Sequence, residues 1–568
     1  MDYSKRRNVF LFLYVLILWG IFGYGIEKIY GFSVFQDEFG YWANAAGLIG
    51  YDWSECAGLG SYYSYGYGLI LTVFLKISQN SMTAYRMAVA GNAALLCITM
   101  LLLWNITDIL FKNVSVNRKI FCVGISFFYP VSVFYMQMTL TESLLTFLYV
   151  LICYLILCFC DKEKVSTVIL LAVVLNYIFF VHMRTVGAVC ACILVMGWWG
   201  CRHPTSRKKL LIGGMVFLLC FILGMALRQV LKNTVYCNAS YEMLSANEAL
   251  TQMEKIKALL SAKGICDFCY SLLGKLYYLG MATYGTIYFA IIYFVRQIKH
   301  PIAQFVLLSC GAQILISAIY MMTPGRIDHV IYGRYNDYLL LLFILIGVME
   351  MFQSKHMYRK IFAVVFGHGV VLLILIRYME QEKLQLLKGY FAAGIGYIWK
   401  ARKLGDTDVN IGLEMCRSYL LSISLIILLV LCVTVIRHIR NTDWILGVFL
   451  CVEILLSMIL SREYTFLFNE VNYGCMNIID YLQEHDSKQI VYLDEGGFPY
   501  VDLVQFYLRD RSIKVWSNTE GNDWKQFVNE DVFLLINTDC SYMEDVSNVL
   551  EPCVESGNLN LYECYKID

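Results

Sequence analysis

Charged residues are scarce in this sequence: Asp, Glu, Lys and Arg make up only 16% of its 568 residues, against roughly 25% in soluble domains. The formal net charge is +1 and no basic stripe indicates nucleic-acid binding. Residues 494–497 (DEGG) follow a strand-like run but match neither the dinucleotide-binding nor the P-loop fingerprint. The one CxxC, Cys266–Cys269, lacks a second pair at zinc-site spacing. These absences argue against a soluble nucleotide-binding, nucleic-acid-binding or zinc-finger protein.

Long apolar runs dominate the sequence, which is 59% hydrophobic. A run of about 20 apolar residues is long enough to cross a hydrocarbon core of ~30 Å as a helix. The sequence therefore predicts a polytopic α-helical membrane protein with about thirteen spans. We place these spans at about 8–30, 82–111, 120–138, 141–160, 165–181, 185–200, 210–231, 273–295, 302–322, 336–353, 361–378, 413–436 and 444–460.

The basic residues predict an orientation. Lys5, Arg6 and Arg7 precede the first span, and cytoplasmic ends of spans are enriched in Lys and Arg, so we expect the N-terminus inside. An odd number of spans then leaves residues 461–568 outside. The 380–412 segment, outside by this count, carries five Lys and Arg residues. It is either a long translocated loop or a sign that one span is miscounted.

The tail 461–568 has a different pattern from the rest. Short strand-like runs alternate with helix-like stretches, which is typical of a small α/β domain with a mostly parallel sheet. The predicted strands are 489–494, 512–516 and 531–537, and the predicted helices are 473–485, 501–509 and 542–550.

Two adjacent carboxylates, Asp37 and Glu38, follow the first span directly. They open an outer loop, about 31–80, in which we predict amphipathic segments near 37–49 and 66–78. Carboxylates at the membrane are costly to bury unless they are paired or solvated, so they often mark a functional site. The structural alternative is that they complement the dipole of a helix N-terminus.

Other polar residues also fall at the predicted outer ends of the spans. Carboxylates and cations together on one face suit transfer from a lipid phosphate, because a carboxylate can deprotonate an acceptor hydroxyl while cations stabilise the phosphate leaving group. The set is Asp37, Glu38, Glu142, His182, Arg184, Arg326, His329 and Arg334.

Each of these residues also has an ordinary structural interpretation. Glu142 could cap the helix that it begins, and Arg184 could extend to the interface from a helix end. Arg334 could form a salt bridge with Asp337 at the start of span ten. His182 and His329 could be hydrogen-bonded core residues, since no metal-ligand spacing is visible.

Five short segments resemble the GT-C glycosyltransferases, which are multispanning enzymes that take sugars from polyprenyl-phosphate lipids. Protein O-mannosyltransferases and the aminoarabinose transferase of lipid A belong to this class. The similarity lies in 35–44, in the tyrosine/glycine run 61–68, and in 139–145, 182–187 and 332–337. The run 61–68 departs from the proline-bearing version of relatives, which leaves the donor and acceptor classes open.

The resemblance covers the bundle, about 1–460, and implies that this part is catalytic; the tail 461–568 is the extracytoplasmic α/β domain predicted above. The resemblance also implies a multi-pass protein of the cell membrane that transfers a sugar from a polyprenyl-phosphate donor to an envelope glycan, lipid or protein, with inversion. Asp37 would be the base, with Glu38 as its catalytic partner. The candidate substrate-binding residues are Arg184, Arg326, Arg334, Tyr335, Glu142 and Tyr65. A divalent cation, if used, would have Asp37, Glu38, His182 and His329 as candidate ligands.

A transporter or lipid-linked sugar flippase is the alternative function. Such a protein would more naturally have charged residues in the middle of spans and broken helices in two related halves. The sequence has few charges in the middle of its spans and no detectable half repeat, so it favours the enzyme.

Overall fold

The computed structural model describes residues 3–245, 249–322, 329–381, 389–396, 410–438, 443–517 and 523–566. Two features discussed above lie outside these residues in whole or in part. They are Arg326 and most of the basic 380–412 segment.

The described chain is mainly helical. The helices of its first 320 residues are α1 (Tyr3–Gly25), α2 (Phe35–Ile49), α3 (Ser54–Gly58), α4 (Gly66–Ile77), α5 (Ser81–Leu110), α6 (Val116–Phe127), α7 (Pro130–Tyr135), α8 (Glu142–Lys162), α9 (Val165–Val181), α10 (Val186–Arg202), α11 (Arg207–Thr234), α12 (Tyr241–Ser245), α13 (Ala249–Ala258), α14 (Ala262–Ala282), α15 (Thr286–Arg296) and α16 (Pro301–Tyr320). They continue with α17 (Leu340–Gln353), α18 (Met357–Gln381), α19 (Ile411–His438), α20 (Asp443–Ser461), α21 (Leu467–Asn472), α22 (Met476–Glu484), α23 (Tyr500–Leu508) and α24 (Met543–Ser547).

The protein is a multi-pass membrane protein, but the described residues contain fewer long apolar helices than the thirteen predicted spans. Eight helices there are long and apolar enough to cross a membrane, or nine if one bent pair counts as a single span. The eight are Tyr3–Lys28, Ser81–Leu110, Glu142–Lys162, Met183–Arg202, Pro204–Thr234, Pro301–Tyr320, Met357–Gln381 and Gly412–His438.

Breaks in the backbone explain much of this difference. The predicted span 120–138 is two short helices separated at Tyr129, because Pro130 begins a new helix. The predicted span 273–295 is α14 and α15, which meet at 98°. Tyr284 and Gly285 turn the chain there with φ of 56° and 73°. Hydropathy alone does not show such breaks, since the flanking residues stay apolar.

The two ends of helix α1 contact different parts of the chain. At one end the Tyr3 hydroxyl donates to Asp108 (2.7 Å), which also pairs with Lys119 (2.5 Å). At the other end the backbone N–H groups of Tyr30 and Gly31 donate to Asn469 Oδ1 at 2.9 and 3.1 Å. The loop after α1 and the beginning of the C-terminal region therefore lie together, opposite the basic N-terminus.

The C-terminal region forms a five-stranded sheet in the order β2-β1-β3-β5-β4. The three predicted strands are confirmed, as β1 (Gln489–Asp494), β2 (Ile513–Ser517) and β3 (Val532–Asn537). They are parallel to one another, but β4 (Pro552–Glu555) and β5 (Leu559–Glu563) were not predicted and pair antiparallel. The predicted strands are thus parallel as expected, and a C-terminal hairpin that was not expected adds two antiparallel pairings to the sheet.

Helix α23 joins this domain to the loop after α1. Every residue of the helix from Val501 onward is buried. The Phe506 ring packs 5.1 Å from Trp42, and its carbonyl accepts a 2.8 Å hydrogen bond from the Ser81 hydroxyl. The Trp53 indole donates to the Arg509 carbonyl at 2.6 Å. The domain is therefore packed directly against the loop that carries Asp37.

Candidate active site

Four of the predicted site residues form one ion-pair cluster. Arg334 donates from Nε to Glu142 (2.8 Å) and from Nη1 to Asp37 (2.5 Å). Arg184 pairs with the same oxygen of Glu142 at 3.0 Å. Both arginine side chains and that of Glu142 are buried, whereas the Asp37 side chain is 27% exposed. Asp37 is thus the most exposed member of the cluster.

The four residues lie at the ends of helices that converge. Asp37 lies in the first turn of α2 and Glu142 is the first residue of α8, positions where the helix dipole favours a negative charge. Arg184 lies in the 3-10 turn Met183–Thr185, between α9 and α10. Arg334 follows α16, and its N–H donates to the Phe391 carbonyl at 3.0 Å. Arg334 pairs with Glu142 and Asp37, not with Asp337, and the Glu142 side chain pairs with the arginines and does not cap its own helix.

The cluster forms part of the wall of a cavity of about 600 Å³. This volume lies in the range of small-molecule sites, and aromatic side chains are numerous in its wall. The polar and aromatic lining residues are Asp37, Tyr41, Ser61, Tyr62, Tyr63, Ser64, Phe179, His182, Arg184, Tyr320, His329, Tyr332, Arg334, Tyr335 and Phe391.

Tyr63 holds the exposed carboxylate in place. Its hydroxyl donates to Asp37 Oδ1 at 2.8 Å, while Arg334 occupies Oδ2. The ring fits against α2 because residue 40 is glycine: a Cβ on Gly40 would lie 2.1 Å from the Tyr63 ring. Sequence reasoning selected Tyr65 from this run instead. The glycine at position 40 of α2 was the one sequence signal that an aromatic ring could pack against this helix.

Arg184 keeps two donors unused. Within the part of the chain that the structure describes, its buried Nε and Nη1 have no hydrogen-bond partner. The guanidinium stacks over the Tyr335 ring, 4.7 Å from the centroid, and lines the cavity. A buried guanidinium with unsatisfied donors is a strong site for an anion, because each unpaired donor costs free energy until a ligand accepts from it.

Glu38 does not line the cavity. Its Oε1 accepts from the N–H groups of Ser33 and Val34 at 2.7 and 2.9 Å. Its Oε2 accepts from Tyr85 (2.5 Å) and from both the N–H and the hydroxyl of Thr139 (2.8 and 2.6 Å). The structure thus places Glu38 as a link between the start of α2, helix α5 and the turn before Glu142.

Tyr65 also points elsewhere. Its hydroxyl donates to the Gly224 carbonyl at 2.9 Å and its ring stacks on Phe180 at 5.3 Å. Arg326 lies outside the described residues. The structure therefore supports Tyr335, not Tyr65, as the tyrosine in contact with the arginines.

Both predicted histidines line the cavity. His182 Nδ1 accepts from the Arg184 N–H at 3.3 Å, and its ring packs against Tyr335 at 5.7 Å. Burial, reinforced by Arg184 and Arg334, holds the pKa of His182 well below its usual value, so its imidazole is neutral. No group of three His, Cys, Asp or Glu suited to a metal ion occurs among the described residues. Asp37, His182 and His329 are the candidate ligands that reach the cavity.

Two crystal structures of ArnT from Cupriavidus metallidurans have a similar fold. One is bound to undecaprenyl phosphate and aligns over 97% of both chains at a TM-score of 0.57 and 9% identity. The other, in the apo state, aligns over 98% of both chains at a TM-score of 0.57 and 10% identity. The arabinosyltransferase EmbB from Mycobacterium smegmatis gives a TM-score of 0.44 at 12% identity, over 81% of this chain and 42% of that one.

No protein-family model matches the sequence, and no curated protein matches it. The structural similarity over nearly the full chain confirms the predicted architecture: an α-helical membrane bundle with a fold like that of ArnT, and a small C-terminal sheet domain.

Proposed function

We propose that this protein is an integral-membrane glycosyltransferase that moves a sugar from a polyprenyl-phosphate donor to an acceptor hydroxyl. Transfer takes place at the outer face of the membrane and inverts the anomeric centre. The donor phosphate binds at Arg184 and Arg334, and Asp37 is the general base.

The observation that carries this proposal is the pairing of unsatisfied cationic donors with a reachable carboxylate in one cavity. Arg184 has two buried nitrogen donors that no described group accepts from. An anionic ligand needs such donors in order to bind. Asp37 is partly exposed and joined to the second arginine at 2.5 Å. The anion site and the base are therefore neighbours, as transfer from a phosphate leaving group requires.

The reaction balances with these groups. The acceptor oxygen attacks the anomeric carbon and forms a new C–O bond, while Asp37 takes the hydroxyl proton. The bond between the anomeric carbon and the phosphate oxygen breaks, and its electron pair leaves with the polyprenyl phosphate. The arginines stabilise the charge that develops on the phosphate. Attack opposite the leaving group inverts the configuration.

Tyr63 and Arg334 orient the base. Each donates to a different oxygen of Asp37, so the carboxylate is fixed in rotation. The tyrosines of the cavity wall offer apolar faces and hydroxyl groups to a sugar.

The similarity in fold to ArnT, one structure of which is bound to undecaprenyl phosphate, supports a lipid-phosphate donor. The membrane-spanning helices bring such a lipid to the cavity. Which sugar and which acceptor are used depends on the cavity wall and on the loops around it.

Asp37→Asn tests the proposed base. We expect purified, reconstituted Asp37→Asn to lose transfer by roughly 10²–10⁴-fold, because asparagine keeps the shape but cannot accept the proton. Binding of the donor lipid should remain. The measurement is release of polyprenyl phosphate from a panel of synthetic polyprenyl-phosphate sugars.

Asp52→Asn is the matched control, since Asp52 lies in the same loop and bonds only to Ser54 among the described residues. It should behave as the wild type. Full transfer by Asp37→Asn would refute the role of Asp37 as base. Movement of the lipid-linked sugar across vesicle membranes without any transfer would instead support the flippase alternative.

A further inference from the structure

A second, much smaller cavity lies on the far side of Glu142 from the arginines. Its volume of about 10 Å³ is at the lower limit for one water molecule. It is separate from the 600 Å³ cavity described above, and the two share no lining residue. The residues around it are Leu96, Val131, Ser132, Tyr135, Glu142, Ser143, Thr146 and Asp337.

Three buried oxygens line this cavity without a well-formed hydrogen bond to any described residue. They are Glu142 Oε2, Ser143 Oγ and Asp337 Oδ2. The Tyr135 side chain, which lines the same cavity, also interacts with the Asp337 carboxyl group. The other oxygen of each carboxyl group has partners. Glu142 Oε1 accepts from both arginines, and Asp337 Oδ1 accepts from the Tyr278 hydroxyl at 2.6 Å. Buried polar atoms are rarely left unpaired, and three around one cavity indicate a further partner.

One water molecule satisfies this set without any other change. Its two hydrogens can be donated to Glu142 Oε2 and Asp337 Oδ2, and its oxygen can accept from the Ser143 hydroxyl. Buried waters typically make about three hydrogen bonds of this kind. The cavity has the size for one such molecule and for no sugar or phosphate.

The water would connect the ion-pair cluster to Asp337 and, through Tyr278, to the segment that contacts the backbone of Arg334. Tyr278, which donates to Asp337, accepts in turn from the Gly394 N–H at 3.1 Å. In the same segment the Phe391 carbonyl accepts from the N–H groups of Gly333 and Arg334 at 2.8 and 3.0 Å. Asp337 thus belongs to the network that fixes the backbone on either side of Arg334.

We propose that a single ordered water molecule occupies this cavity and joins Glu142 to Asp337, which makes Asp337 a positioning residue for the arginine pair. The water holds the Glu142 carboxylate so that Oε1 faces Arg184 and Arg334. The structural claim stands by itself, whereas its kinetic consequence rests on the proposed transferase function.

Two substitutions that keep the branching of the side chain separate the effect of polarity from that of shape. Asp337→Asn keeps an acceptor for Tyr278 and an amide that can donate to the water. Asp337→Leu keeps the branched shape but offers no polar atom. We expect the water in high-resolution maps of the wild-type protein and of Asp337→Asn, within hydrogen-bond distance of Glu142 Oε2, and not in Asp337→Leu.

The KM for the donor should also differ between the Asn and Leu variants. Loss of the bridge leaves Glu142 Oε2 unpaired, so Asp337→Leu should raise the KM for the polyprenyl-phosphate donor roughly tenfold. Asp337→Asn should stay within about threefold of the wild type. The exposed Asp531→Asn serves as a control for charge removal. Thermal unfolding of each variant identifies any that is misfolded.

Three results would overturn the proposal. The first is an empty cavity in a map that shows ordered water elsewhere. The second is an anomalous peak at the site after a soak with rubidium or thallium ions, which would make the occupant a cation. The third is an equal donor KM for the Asn and Leu variants. If the wild type transfers no sugar, the proposed function fails, but the maps still decide whether the water is present.

Discussion

At the scale of single residues, two adjacent carboxylates have separate environments. Asp37 and Glu38 are consecutive on α2, so their side chains point about 100° apart. Asp37 faces the cavity and the arginines, while Glu38 accepts five hydrogen bonds from buried groups. The pair therefore combines one carboxylate that faces the cavity with one that links the start of α2 to its neighbours.

Arg334→Lys tests whether the guanidinium geometry matters. Arginine reaches Glu142 and Asp37 with two different nitrogens, and a lysine ammonium cannot match both directions. We expect transfer to fall roughly 10- to 100-fold with folding intact. The measurement is the steady-state transfer rate together with thermal unfolding.

Arg417→Lys is the matched control, because Arg417 is exposed and, among the described residues, pairs only with the nearby Glu414, at 2.8 Å. It should leave transfer unchanged. A wild-type rate in Arg334→Lys would show that only the charge of Arg334 is needed.

Glu38→Gln should damage stability. Each oxygen of Glu38 receives at least one backbone N–H, so the amide of glutamine faces a donor in either orientation. We expect the free energy of unfolding to fall by about 3 kcal/mol. Thermal unfolding in detergent measures this, and retention of the wild-type melting temperature would contradict the linking role of Glu38.

At the scale of elements, short broken helices bring the site residues together. Arg184 and Arg334 both lie where a helix has ended and the next has not begun, and Glu142 begins α8 directly after a turn. Helices α15 and α17, which support this region, approach very closely at Gly347. A Cβ there would lie 2.1 Å from the Thr286 carbonyl oxygen.

Gly347→Ala should separate α15 from α17. The contact is with backbone, which cannot move aside as a flexible side chain can, so we expect a loss of about 1–3 kcal/mol of stability. Thermal unfolding in detergent is the measurement.

Gly367→Ala in α18 is the control, since no heavy atom of the described residues lies within 4 Å of the position that a Cβ would take there. Alanine is the better helix former, so this variant should be unchanged or up to about 1 kcal/mol more stable. Equal effects of the two substitutions would contradict the close approach.

At the scale of the whole molecule, the C-terminal sheet domain covers the loop that carries the candidate base. Arg509 donates to the Ser78 carbonyl at 2.6 Å, and Tyr507 donates to the Tyr30 carbonyl at 2.7 Å. The domain and the cavity therefore belong to the same end of the bundle. Because Lys5, Arg6 and Arg7 lie at the opposite end, we expect this end to be extracytoplasmic.

Reporter fusions test this orientation. Alkaline phosphatase fused after residue 568 should be active in bacterial cells, since it folds only outside the cytoplasm. Green fluorescent protein at the same position should be dark when exported unfolded. The reverse pattern would place both the C-terminal domain and the proposed active site in the cytoplasm.

The sequence alone determined where most helices lie, which polar residues fall at their ends, and that the C-terminal part of the chain contains a small sheet domain. These features follow from local hydropathy and periodicity, which do not depend on distant contacts. Asp37, Glu142, Arg184 and Arg334 were selected from their places at predicted span ends, and Tyr335 from the family resemblance. The structure brings all five together.

Only the tertiary structure decided how these residues are used. Which of two adjacent carboxylates faces the cavity depends on the rotation of α2 against α4 and α23, and so does the selection of Tyr63 over Tyr65. The breaks at Pro130 and Gly285, and the pairing of the final hairpin, depend on packing that hydropathy does not encode. Asp337 gains its place from Tyr278, 59 residues earlier in the chain, and such long-range contacts leave no local pattern in the sequence.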